Sequence, residues 1–284
     1  MPKAERHHHR VEDRGGCGLG TRMLRYSIRA GGWDIWNLCS KCTLLVIALH
    51  SATPTYAGSE DLDRLVAAYP NFLVKHDGSH IFWKDGSSTP ISPRTNDTFD
   101  EKLKHATLED QLSLRYQRGR LSSPPTPNDD AGRFRNTDFF DKMYGDCKKG
   151  RSAVKLVDVQ WLDKANGHIL QVSPLNGVAE KLRSVSEDIL KLPRDLWKYV
   201  SPSAGTYNCR TVKDTGTKSM HAWGAAIDIN TNYSDYWLWG KGKPCRNRIP
   251  YEIVEIFERH GFIWGGKWAH YDTMHFEYRP ELLR

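Results

Sequence analysis

Apolar positions in this chain fall into short, separated blocks. Over 59–68 they recur at helical spacing, which predicts a helix whose inner face is Leu62, Leu65 and Val66. Two apolar runs, 72–76 and 79–83, flank Asp77-Gly78 and predict a hairpin, with a further turn at Lys84-Asp85-Gly86. Residues 98–117 are helical in pattern but irregular. The stretch 118–132, with Ser122-Ser123-Pro124-Pro125, breaks every periodicity and is expected to be a flexible linker or surface loop. Beyond it the blocks become denser. Phe139, Phe140, Met143 and Tyr144 predict a short helix ending near Gly145. Residues 153–162 and 168–173 read as strands joined at Asn166-Gly167. Asn176 is expected to cap a helix whose one face is Val178, Leu182, Val185 and Ile189.

The last third alternates differently. Over 225–230, Ala225, Ile227 and Ile229 face one side of a strand, and Ala226, Asp228 and Asn230 the other. Pro250 opens a helix with Ile253, Val254 and Phe257 inward and Gly261 as its stop. Phe262-Ile263-Trp264 and Met274 to Tyr278 complete the strands. Helices and strands do not alternate as βαβ units. The expectation is therefore an α+β fold, an antiparallel sheet flanked by helices. The blocks divide the chain into a leader (1–57), an N-terminal extension with the hairpin and linker (58–132), and a C-terminal domain (133–284).

Charge changes the picture at the N-terminus. The formal net charge is +7, but residues 1–57 carry eight Lys/Arg against four Asp/Glu, more than half of the excess. No basic run with interleaved aromatics follows, so nucleic acid is not an expected partner. Arg22, Arg25, Arg29 and Lys41 precede the apolar run Cys42 to Leu49, and a small-residue stretch ends at Ala57. That order of basic, apolar and small residues is the layout of an export signal, with Met23 as an alternative start. The apolar run is too short for a stable membrane span, which takes about 20 residues. The expected location is outside the cytoplasm, periplasmic or extracellular. Cleavage after Ala57 leaves Cys147, Cys209 and Cys245, enough for one disulfide and one free thiol. Cys209–Cys245 and Cys147–Cys209 are both open.

The candidate chemistry lies in two stretches. His221 and Asp228 are separated by small residues that let the backbone curl and bring both side chains to one point. His275 and Glu277 share one face of the last strand, and Asp272 stands three residues ahead of His275. Two neutral imidazoles and one carboxylate make a sound shell for a catalytic zinc ion (Zn2+), with Asp272 placed to take a proton from water. His270 could be a further ligand, but its place before the turn suits a substrate-side or ligand-orienting group better. Glu277 could orient a ligand imidazole or act as an alternative base; Trp223, Trp264 and Trp268 could line a groove or pack.

The runs Gly205-Thr206-Tyr207-Asn208-Cys209-Arg210, Ser219-x-His221-x-x-Gly224-x-Ala226-x-Asp228, His260-Gly261-Phe262-Ile263-Trp264-Gly265-Gly266-Lys267-Trp268 and Asp272-x-x-His275-Phe276-Glu277 occur in that order. In order and spacing the chain resembles the zinc D-alanyl-D-alanine carboxypeptidase and L-alanyl-D-glutamate endopeptidase family, which includes VanY-type carboxypeptidases and several phage endolysins. The resemblance is close from Gly205 to Leu283 and looser back to Phe139. It implies the hedgehog/DD-peptidase-like fold for 133–284 and hydrolysis of peptidoglycan stem peptides. It also implies His221, Asp228 and His275 as metal ligands, Asp272 as general base, Arg210 on the oxyanion or substrate, and Ser219 behind the ligands. Related domains of that fold include non-catalytic zinc modules; a structural zinc site would need neither Asp272 nor Arg210. The sequence points to no oligomeric state.

Overall fold

The computed structural model describes residues 58–283 apart from 95, 163–167, 214 and 241–246. The leader, the turn at Asn166-Gly167 and Cys245 lie outside the described residues. Helix α1 (Ser59–Ala68) leads into an antiparallel meander of β1 (Leu73–His76), β2 (His80–Trp83) and β3 (Ser88–Pro90). The third strand is an addition to the expected hairpin. The region 98–117 splits into α2 (Phe99–His105) and α3 (Leu108–Ser113) because it holds two helix starts. Thr98 with Glu101, and Thr107 with Asp110, each form a reciprocal capping box.

Helix α4 (Thr137–Tyr144) ends at Gly145 as expected, and β4 (Val157–Trp161) pairs with β5 (His168–Val172). Helix α5 (Val178–Ile189) buries Val178, Leu182, Val185 and Ile189. Asn176 does not cap it. Asn176 and Gly177 both have left-handed backbone, and the Asn176 amide turns away to Met143 Sδ at 2.9 Å. The N–H of Ala179 instead bonds the Ser173 carbonyl. Finally, β6 (Ala226–Asp228), α6 (Tyr251–Arg259), β7 (Phe262–Trp264) and β8 (His275–Tyr278) form the C-terminal unit. Its sheet has the order β6-β8-β7 and is antiparallel throughout. Mixed helices and small antiparallel sheets make the fold α+β. Among the described residues no helix is long and apolar enough to cross a membrane.

One apolar core joins the extension to the C-terminal part. Leu62, Leu65 and Tyr69 belong to the same buried cluster as Trp161, Trp223, Phe257 and Phe276. Polar links cross the same boundary: Tyr69 donates to Glu281 at 2.6 Å, and Tyr116 to Glu258 at 2.6 Å. The linker region also ends differently from the flexible connection expected. Asp130, Ala131, Gly132, Arg133, Phe134 and Arg135 are all buried. Gly132, at φ +99°, lets the strap lie against the C-terminal sheet: a Cβ there would meet Ile263 Cδ1 at 2.4 Å and Glu277 Oε1 at 2.9 Å.

Candidate metal centre and active site

The two sequence stretches meet because β6 and β8 pair in a register that sets Asp228 opposite His275 and Ala226 opposite Glu277. The paired residues share a face of the sheet. His221 arrives from a single 3-10 turn, Met220–Trp223, whose start is capped by Ser219 Oγ accepting from the His221 N–H. Gly224 ends that turn at φ +65°, and a Cβ there would come within 2.9 Å of the Ser173 nitrogen. The small residues between His221 and Asp228 thus allow the close passage that brings both to one point.

His221 Nε2, His275 Nδ1 and Asp228 Oδ1 lie 3.1 Å from one another along each side of a triangle. The far nitrogen of each ring is already committed. His221 Nδ1 donates to the Thr206 carbonyl at 2.5 Å, and His275 Nε2 to Glu277 Oε2 at 2.9 Å. Those bonds fix the tautomers, so in the neutral rings both inner nitrogens present lone pairs beside a carboxylate oxygen. Three converging acceptors call for a cation. A tetrahedral zinc with bonds of about 2.0–2.1 Å sets its ligand atoms roughly 3.3 Å apart, close to this triangle. The residues therefore fit the metal.

The electrostatics agree. Burial opposes ionisation of Asp228, but His221 and His275 hold its carboxyl far below the ordinary range. Burial also opposes charge on His275, yet its bonds to Asp228 and Glu277 push it up to about 10. Those bonds favour a proton on His275 Nδ1, shared with Asp228, when no metal is bound. Glu277 is fully buried; burial raises its pKa, while Arg135, His275 and Arg279 bring it well below the ordinary carboxylate value. Arg135 reaches Glu277 Oε2 at 2.5 Å, and Arg279 reaches Oε1 at 3.0 Å. With both oxygens engaged, Glu277 orients His275 and is not free to act as a base.

Asp272 is the unengaged carboxylate. Its backbone N–H bonds the Gly265 carbonyl at 3.0 Å, but its buried Oδ1 has no hydrogen-bond partner. Burial first, and then the charge of Asp228, push its pKa up to about 6; His275, His221 and Arg210 oppose that rise. Asp272, Asp228 and His275 open on a cavity of roughly 380 Å³. Its lining holds four arginine or lysine side chains, Arg133, Arg135, Arg210 and Lys213, against two carboxylates, Asp228 and Asp272. Ser219, Trp268 and His270 line it too, so the sequence-picked site residues reach the cavity wall except His221 and Glu277, each of which is buried against His275. Trp223 and Trp264 do not; both are core residues.

The family model described as D-alanyl-D-alanine carboxypeptidase matches residues 213–278. That match takes in His221, Asp228 and His275 together with Asp272, Glu277 and His270. It leaves Arg210 and the 130–135 strap outside. No curated protein and no solved structure matches the chain. The D-alanyl-D-alanine carboxypeptidase resemblance read from the sequence motifs is thus borne out over the segment that carries His221, Asp228 and His275.

Sequence reasoning missed the strap. Asp130, Arg133 and Arg135 stand next to a Pro/Ser-rich stretch and have no periodicity to announce burial. It also missed the wall of Tyr236, Trp237 and Trp239, whose signal was three large aromatics within four positions. The disulfide alternatives are decided: Cys147 is bonded to Cys209. That bond fixes the residue beside Arg210, whose carbonyl accepts from the Ser219 N–H at 3.3 Å. Cys147→Ser is expected to cost about 2–4 kcal/mol of stability. It should also lower kcat/KM while zinc content stays unchanged, because Arg210 loses its tether. Wild-type kcat/KM in the variant would show that the bond does not position Arg210.

Proposed function

We propose that this protein is a zinc-dependent peptidase of peptidoglycan stem peptides that removes a terminal D-alanine. The observation that carries the reading is the convergence of three acceptor atoms, the two imidazoles oriented from behind, beside a carboxylate with a free buried oxygen. His221, Asp228 and His275 would hold the zinc. Zinc there supplies Lewis-acid activation of a water and of the scissile carbonyl. Asp272 takes the water's proton and relays it to the leaving amine. Arg210 places fixed positive charge where negative charge develops on the carbonyl oxygen. Ser219 holds the His221 turn by its cap. Trp268 packs its ring 5.7 Å from that of His275 and closes one side of the cavity.

The cationic lining favours a substrate with a free carboxylate near the cut bond, which supports exopeptidase action over cleavage after L-alanine. The disulfide suits an oxidising compartment, so we place the protein outside the cytoplasm. Arg210→Ala is expected to lower kcat by about 10²–10³-fold with zinc retained; an effect on KM alone would reassign Arg210 to substrate holding.

Digestion of purified muropeptides, followed by mass spectrometry, tests the reading. Loss of one alanine from a pentapeptide is the expected product. A split after L-alanine would make the enzyme an endopeptidase. Intact muropeptides with zinc-loaded wild type would end the peptidase reading.

A further inference from the structure

His270 lines the cavity together with Asp272 and His275, and its ring is held on three sides. Its Nδ1 bonds Asp130 Oδ2 at 2.6 Å, and its backbone N–H bonds Asp130 Oδ1 at 3.1 Å. Asp130 is fully buried and also accepts from Arg133 at 3.0 Å. Phe99 stacks on the ring at 5.9 Å and 16°, and Trp237 meets it edge-on at 4.8 Å. The other ring nitrogen, Nε2, has no hydrogen-bond partner among the described residues.

A tie between a loop and the fold would need only one of these contacts. Here a buried carboxylate takes the ring N–H and the backbone N–H of the same residue, while an aromatic ring covers one face. The result is an imidazole with one uncommitted nitrogen, on a residue that lines the cavity beside Asp272. A carboxylate acceptor fixes the protonated nitrogen of a histidine, and so decides what the opposite nitrogen offers. Asp130 and Phe99 both precede the family-matched segment, as does everything else in the extension.

We propose that Asp130 and Phe99 are positioning residues that hold His270 with Nδ1 protonated, so that Nε2 meets the reacting peptide. The extension is then part of the active site, and the C-terminal segment alone is an incomplete enzyme. The inference rests on the peptidase reading for its kinetic arm; its spectroscopic arm is independent of it.

The experiment uses residues 58–284, the chain left by the expected cleavage after Ala57, with wild type, Asp130→Asn, His270→Ala and the double variant. Nitrogen-15 histidine NMR is expected to show His270 Nδ1 protonated in wild type and that signature lost in Asp130→Asn. With zinc content equal across the set, Asp130→Asn should lower kcat by about 10–100-fold. The double variant should be no worse than His270→Ala, because the two act as a unit. Phe99→Leu, which disturbs no charge, should give a smaller loss in the same parameter and keeps the test open if Asp130→Asn does not fold. An unprotonated Nδ1 in wild type, wild-type kcat in both Asp130→Asn and Phe99→Leu, or losses that multiply in the double variant would each overturn the proposal. Inert wild type on muropeptides would sink the peptidase reading instead and leave the NMR result to decide the role of Asp130.

Discussion

Wild-type protein is expected to retain about one zinc per chain through dialysis, and Asp228→Ala to retain none. His221→Ala and His275→Ala should behave the same way. The reason is the triangle, 3.1 Å on each side, whose three atoms are all acceptors once both rings are neutral. Removing Asp228 takes away the only negative ligand and leaves two imidazole lone pairs facing each other. Removing either histidine leaves two ligands where zinc takes three protein ligands in catalytic sites. Zinc must displace the proton that the carboxylates hold on His275, so its uptake near neutral pH should release a proton into the buffer. Glu277→Gln should give a graded result. The metal ligand loses its orienting carboxylate, which lowers zinc affinity about 10–100-fold. Arg135 and Arg279 also lose a buried partner, a cost of about 3–5 kcal/mol in stability. Metal analysis after dialysis and chelator competition read both effects. Zinc held equally by Asp228→Ala and wild type would end the assignment of the centre.

The centre was legible in the sequence because its parts obey short-range rules. Period two along 225–230 and 274–278 puts Asp228, His275 and Glu277 on chosen faces, and small residues before Asp228 mark where the backbone turns. The helices at 178–189 and 251–259 were legible for the same reason, a single apolar face. The cap of the first was not. Asn176 is a good cap by type, but the left-handed backbone at Asn176 and Gly177 gives its amide to Met143. The strap at 130–135 was invisible in a stronger sense. Its arginines are buried only because Asp130 and Glu277 wait for them in the folded molecule. Charge next to proline and serine looks solvated until its partners, up to 142 residues away, are known. What the sequence hid about the site is therefore what long-range ion pairs created.

Asp272→Asn should lower kcat by about 10²–10⁴-fold while leaving the zinc in place. The carboxylate has no structural employment that would explain such a loss: its Oδ1 is buried and unpartnered. The pH behaviour gives a second, sharper readout. Burial and the neighbouring Asp228 push the Asp272 pKa up to about 6, and a base works only when deprotonated. The kcat/KM of wild type should therefore fall as pH drops below about 6. A divalent cation beside the carboxylate favours its ionised form, so 6 is the upper limit for that acid limb in the loaded enzyme. The same shift has a stability consequence of known sign. A folded-state pKa above the unfolded value means that the protonated group favours the fold, and that this contribution is lost as pH rises through about 6. Asparagine cannot ionise and keeps it. In the metal-free protein, Asp272→Asn should thus be more stable than wild type at pH 7–8, by at most about 3 kcal/mol. The two should converge near pH 4, where wild type is protonated. A residue that merely packs would lose stability on substitution at every pH. Thermal unfolding of metal-free wild type and variant across that range separates a strained catalytic base from a structural carboxylate. A variant no more stable at pH 7 than at pH 4, relative to wild type, would remove Asp272 from the role assigned to it.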